Sequence, residues 1–212
     1  ENQTCGVISI QKASLTMDGC TFDSCEAASA SLIQIQSAES FNKISNCIFK
    51  NNRNASRGLV QVNGNSVTFM DNCLFDGNVT RTGSWGRVVH GANPSVLCMN
   101  GITVANHTTL DTSETGSVVM LNTDGSLLLS NSTVVGKCNM AMLRNTNAGT
   151  RNLFTVLNSI VLNEQASAPV IGKVYDTKTS SWSSLMRASL TTAYNRFSAC
   201  DIAPSGDMST YG

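Results

Sequence analysis

Two stretches decide the reading of this chain: Asn46-Cys47-Ile48-Phe49-Lys50-Asn51-Asn52 and Asn72-Cys73-Leu74-Phe75-Asp76-Gly77-Asn78. Each runs amide, cysteine, any residue, phenylalanine, with a further asparagine three places on. An upstream copy reads Gly19-Cys20-Thr21-Phe22, with Cys25 in the place of that last asparagine. Weaker copies follow at Gly101-Ile102-Thr103-Val104, Asn131-Ser132-Thr133-Val134 and Asn158-Ser159-Ile160-Val161. The second positions fall at 20, 47, 73, 102, 132 and 159, spaced by 27, 26, 29, 30 and 27 residues. Self-similarity at such a period is the signature of a repeat architecture.

Two other apolar segments keep the same beat. One reads Gly6-Val7-Ile8-Ser9-Ile10, Ser31-Leu32-Ile33-Gln34-Ile35, Gly58-Leu59-Val60-Gln61-Val62 and Ser117-Val118-Val119-Met120-Leu121. The other includes Ser14-Leu15-Thr16-Met17, Ser40-Phe41-Asn42-Lys43-Ile44, Ser66-Val67-Thr68-Phe69 and Ser126-Leu127-Leu128-Leu129. Short segments rich in Val, Ile and Phe, bounded by turn residues, are strands. Helical repeats of similar length need longer segments at 3.6 spacing, and the leucine-asparagine consensus of leucine-rich repeats is missing. Three strands per period, each stacked on its counterpart in the next period, predict an all-β fold: a right-handed parallel β-helix of about seven coils. Adjacent coils then lie about 4.8 Å apart.

That register makes specific predictions. Cys20, Cys47 and Cys73 form one inward row, and Phe22, Phe49 and Phe75 the next. Asn52 and Asn78 form an amide ladder. Asp23, Lys50 and Asp76 share an outward position where alternating charge is favourable. The regular coils are expected over residues 1–172 and an irregular excursion with a last coil over 173–212, all in one domain. Trp182, Leu185, Met186 and Leu190 lie at helical spacing, which predicts a short helix near 181–190. Ala199-Cys200-Asp201-Ile202 reads as a late copy of the third strand. The chain reaches Gly212 without a recognisable cap, so it is expected to be a piece of a longer polypeptide.

Phe49-Lys50-Asn51-Asn52 and Phe75-Asp76-Gly77-Asn78, each followed by a Gly/Ser-aliphatic strand, resemble the FxxN repeats of polymorphic-membrane-protein-like adhesins. More broadly they are similar to the pectate-lyase-type right-handed β-helix proteins of bacterial and protist surfaces. The resemblance covers roughly residues 6–172. It departs from the adhesin pattern in lacking the Gly-Gly-Ala partner motif, and the later coils lose the Phe. It implies a surface location and adhesion, and it carries no catalytic residue onto this chain.

Composition narrows the function classes. The net charge is zero and charged residues are 13%, about half the usual share. No basic face is expected to draw in nucleic acid or an anionic membrane, and no apolar run is long enough to span a bilayer. Eight cysteines point to an oxidising compartment.

Candidate chemistry is sparse. Asn122-Thr123-Asp124-Gly125 resembles a first motif of polygalacturonases, but no Asp-Asp pair follows and the only His-Gly, His90-Gly91, lies upstream. A turn explains that motif as well. Arg53, Arg57, Arg81 and Arg87 crowd one region and read as a solvated edge or an anion or glycan contact. His90 and His107 are too far apart in the repeat for a metal pair, and no Cys-x-x-Cys pair exists. No catalytic residue, metal or cofactor is expected. Cys5 with Cys25 is the candidate disulfide. The sequons at Asn2, Asn54, Asn106 and Asn131 are candidate glycosylation sites, with Asn54 and Asn106 expected in exposed turns. Asn78 also heads a sequon, which a ladder role would exclude.

The expected function is a non-catalytic extracellular structural or adhesive surface module. Its expected partners are a glycan or host cell-surface ligand and a second copy stacked end to end, since bare strand edges can pair. The alternative is a polysaccharide lyase or glycoside hydrolase of the β-helix type, or an inactive relative, with Asp124 and the arginine edge lining a groove.

Overall fold

The computed structural model describes residues 6–27, 31–36, 39–54, 58–80, 87–92, 95–109, 117–121, 125–138, 142–145, 153–164, 170–176, 181–184 and 190–197. These residues form an all-β parallel solenoid. Sheet A stacks Ile8–Ile10, Ile33–Ile35, Val60–Asn63, Val89–Ala92, Val119–Leu121, Leu143–Asn145 and Ile171–Asp176. Sheet B stacks Thr16–Asp18, Phe41–Ser45, Val67–Asp71, Val96–Asn100, Ser126–Ser130, Leu153–Leu157 and Leu190–Ala193. Sheet C stacks Thr21–Asp23, Ile48–Lys50, Leu74–Asp76, Thr103–Thr109, Thr133–Lys137, Ile160–Asn163 and Arg196–Phe197. Three two-residue strands, Glu26–Ala27, Arg53–Asn54 and Val79–Thr80, extend sheet C beyond its corner. About four coils, from Ile8 to Thr109, can be followed with all three strands and their inner side chains described. That is the coil count we assign, against the expected seven; the later strands continue the same sheets.

The corners explain the first letter of the repeat motif. Between sheets B and C the chain turns through a single residue with positive φ: Asn46 (53°), Asn72 (52°), Asn131 (49°) and Asn158 (49°), with Gly19 and Gly101 at 64° and 61°. Only glycine, and asparagine among the larger residues, enters this region readily. A second such corner follows sheet C at Ser24, Asn51 and Gly77, and Asn106 takes the same conformation at the register shift within Thr103–Thr109.

Inside, like side chains stack. Thr21, Ile48 and Leu74 are in register, so the phenylalanines that follow them lie one above another. Phe22 and Phe49 are stacked with centroids 4.9 Å apart, and Phe49 and Phe75 at 4.6 Å. Cys47 and Cys73 are buried beside them, and Cys20 is half-buried at the first coil. Each buried large apolar side chain contributes about 1.5–3 kcal/mol. The core is one continuous cluster running along the solenoid.

Near the end of the chain the expected helix at 181–190 is not formed where the residues are described. Ser181–Ser184 is a strand antiparallel to Ile171–Asp176, with Trp182 opposite Tyr175. Serine favours non-helical backbone, and the edge of sheet A offers it hydrogen bonds; residues 185–189 lie outside the described residues. The copy of the third strand expected at Ala199–Ile202 lies outside the described residues. A further copy falls at Asn195-Arg196-Phe197: Arg196 and Phe197 pair with Ile160 and Val161. The antiparallel strand lengthens this period to 36 residues, which hid the copy from the beat.

Candidate functional site

The inner polar row is the most elaborate constellation. Register places Cys25, Asn52, Asn78 and His107 in one line. Asn52 and Asn78 are fully buried. The Asn52 carboxamide oxygen accepts from the Cys25 backbone N–H at 2.9 Å, and Asn52 Nδ2 donates to the Phe22 carbonyl at 3.1 Å. Asn78 repeats the arrangement one coil later, donating to the Phe49 carbonyl at 2.8 Å. Each amide thus satisfies backbone groups that the turn would otherwise leave unpaired. Asn78 is therefore a ladder residue and not an accessible sequon.

Three positions escaped the sequence reading. His107 continues the row, fully buried, and desolvation pushes its pKa down to about 4. Asn42 is buried in sheet B, accepting from the Leu15 N–H at 3.0 Å and donating to Thr68 at 3.2 Å. Asn163 donates to the Cys138 carbonyl at 3.0 Å and accepts from its N–H at 3.2 Å. The only signal for them was a polar residue at a core parity.

The cysteine row behaves as buried hydrocarbon. Cys20, Cys25, Cys47, Cys73, Cys98 and Cys138 are free thiols. Burial pushes Cys73 up to about 11 and Cys138 to about 12. The Cys25 thiol, half of the candidate Cys5–Cys25 disulfide, donates to the Asp23 carbonyl at 3.7 Å. Cys5 lies outside the described residues. Among the described residues, no group of three or more His, Cys, Asp or Glu is placed to hold a metal ion, and no helix is long and apolar enough to cross a membrane.

The sequons separate by burial. Asn54, expected in an exposed turn, is 1% exposed, and its amide donates to the Gly58 carbonyl. Its strand Arg53–Asn54 is clamped between two others, so it offers no room for a glycan in the folded chain. Asn106 and Asn131 are exposed at corners, each with its amide on a neighbouring coil, Asp76 at 2.8 Å and Asn100 at 2.8 Å. Asn2 lies outside the described residues.

Asp124, Arg57 and Arg81 lie outside the described residues. Arg53 is exposed and Arg87 is buried. His90 sits on sheet A in line with Gln34 and Gln61, while His107 sits on sheet C. Outside, the expected charge row is present: Lys50 Nζ lies 3.1 Å from Asp23, and this hydrogen bond, with one from Ser24, holds the Asp23 carboxyl below its usual range. Asp76 instead receives the Asn106 amide.

The outer corner between sheets B and C carries a second ladder. Asn46 Nδ2 donates to Asp18 at 2.7 Å and Asn72 Nδ2 to Asn46 at 2.8 Å. Alongside it, Asn100 donates to Asp71 at 2.7 Å, Asn131 to Asn100 at 2.8 Å and Asn158 to Asn131 at 2.6 Å. Beside this polar column lies the outer face of sheet B, where Phe41, Phe69, Val96 and Leu128 remain 60%, 38%, 39% and 37% exposed. No family model, curated protein or solved structure matches the chain.

Proposed function

We propose that this chain is a non-catalytic extracellular surface module, structural or adhesive, of the kind formed by FxxN-repeat adhesins and other pectate-lyase-type solenoids. One observation carries the reading: ladders of like side chains run coil to coil on both sides of the wall, Asn52 on Asn78 within and Asn46 on Asn72 without. Such a rod is stiff, because every coil is tied to the next by side chains as well as backbone. It displays flat faces whose groups repeat once per coil, the surface solenoids use for extended partners. Placement outside the cell follows from the resemblance and agrees with the exposed sequons Asn106 and Asn131. A glycan or cell-surface ligand, and a second copy stacked end to end, are the partners this surface suits.

The test is adhesion set against turnover. Beads coated with the purified chain are expected to adhere to cells or extracellular matrix. The same protein is expected to leave pectin, alginate and glycosaminoglycans uncut. Release of unsaturated or reducing ends, abolished by Asp124→Ala, would overturn the proposal in favour of a polysaccharide lyase or hydrolase. Failure of the beads to adhere to any surface would overturn its adhesive part.

A further inference from the structure

We propose that the outer face of sheet B binds a neutral polysaccharide lying along the solenoid axis, with Phe41 and Phe69 as its platform. This rests on the surface-module reading and names the ligand class and the face. Register places Phe41, Val67 and Val96 in one outward column, and Lys43, Phe69, Cys98 and Leu128 in the next. The two phenyl rings touch across adjacent coils, with centroids 5.0 Å apart. An aromatic residue of this size normally goes to the core. Here two neighbouring ones stand outside, and the apolar strip continues through Val96 and Leu128.

The setting selects the occupant. Along one margin runs the column of Asp71, Asn100 and Asn131, each joined to the next coil. A carboxamide has two N–H donors, and the ladder uses one on each of Asn100 and Asn131, so a donor repeats beside the apolar strip, while the Asn100 oxygen is taken up by Asn131 and Ser130. A pyranose ring has the matching surface: a C–H face that lies on an aromatic ring and a rim of hydroxyls that hydrogen-bond. Charge argues against the other occupants. Lys43 is the only cation among the outward positions of the strands Phe41–Ser45, Val67–Asp71 and Val96–Asn100. An anionic membrane surface draws on clusters of basic residues, as does an acidic polysaccharide by the same attraction.

The experiment is affinity electrophoresis and titration of the full chain with soluble neutral polysaccharides, namely β-1,4-glucan, xylan and mannan, with hyaluronan as the anionic control. Retention by at least one neutral polymer is expected. Phe41→Ala and Phe69→Ala should each weaken it about tenfold, equivalent to about 1.4 kcal/mol, with the circular dichroism unchanged because both rings lie outside the core. Asn100→Ala should weaken it less. Absence of retention by every neutral polymer, or equal retention by the double variant, overturns the proposal. A concentration-dependent dimer that Phe41→Ala dissociates assigns the face to a second copy and also overturns it. Beads carrying the double variant separate the two readings: if they adhere like the wild type, the surface module stands and this face does not serve it.

Discussion

The carboxamide oxygen of Asn78 accepts two hydrogen bonds from Asn52, one from its backbone N–H at 3.0 Å and one from its side chain at 2.9 Å. Both residues are buried, so no water stands ready to replace a missing partner. Asn78→Ala therefore strands two donors on Asn52 and the Phe49 carbonyl. Each unsatisfied buried group costs about 1–3 kcal/mol. The variant is expected to lose at least about 3 kcal/mol in urea unfolding, and a loss under about 1 kcal/mol would show that the ladder is incidental.

The phenylalanine stack should show its position in the size of each truncation. Phe49 is fully buried between Phe22 and Phe75, with interplanar angles of 3° and 6°. Phe22 has one ring neighbour described and is 7% exposed. Phe49→Ala is expected to cost about 3–5 kcal/mol, and Phe22→Ala clearly less. Equal losses measured by chemical denaturation would contradict this ranking.

The motif was legible because each letter answers a separate physical demand. Its amide or glycine takes the positive-φ corner, its cysteine and phenylalanine fill inward rows, and its last asparagine closes the next turn. What escaped notice was whatever broke that chemistry while keeping the place. His107 is neither amide nor thiol, so its membership in the Asn52–Asn78 row shows only in the register. Phe41 lies outside and Asn42 inside, against what hydrophobicity alone would favour, since Ile44 and the corner at Asn46 set the parity. Asn54 read as a turn sequon but occupies a strand. Ser181–Ser184, expected to open a helix, forms a strand instead because an open sheet edge outweighed a weak helical period. The exposed rings on sheet B drew no notice beforehand, because phenylalanine elsewhere in the repeat fills the core.

The corner residues give a test in the gaining direction. Gly101 has φ of +61°, and a Cβ there would meet only Asn72 backbone atoms at 3.6 Å, an ordinary contact. Asn fills the same corner at positions 72 and 131. Gly101→Asn is expected to change stability by no more than about 0.5 kcal/mol, whereas Gly101→Val should cost about 1–2 kcal/mol from the left-handed backbone. Thermal unfolding of the pair checks this, and equal melting temperatures would remove backbone conformation as the reason for the motif's first letter.

His107 should make the solenoid sensitive to acid. Burial lowers its pKa from 6.5 to about 4, and neither ring nitrogen has a hydrogen-bond partner to hold a proton there. A histidine with a depressed folded-state pKa contributes stability that is present above pH 6.5 and lost as pH falls through 4. The proton binds the unfolded chain first, so acid draws the equilibrium toward it. At about 1.36 kcal/mol per unit, the loss between pH 7 and pH 4.5 is about 2–3 kcal/mol from this residue alone. Carboxylates such as Asp23, held below its usual range, contribute at lower pH. His107→Asn isolates the effect, because asparagine already serves the same row at positions 52 and 78. The variant is expected to fold and to be flatter than wild type between pH 7 and pH 4.5 in urea midpoint. Parallel curves for the two proteins would mean that His107 is not the group that titrates.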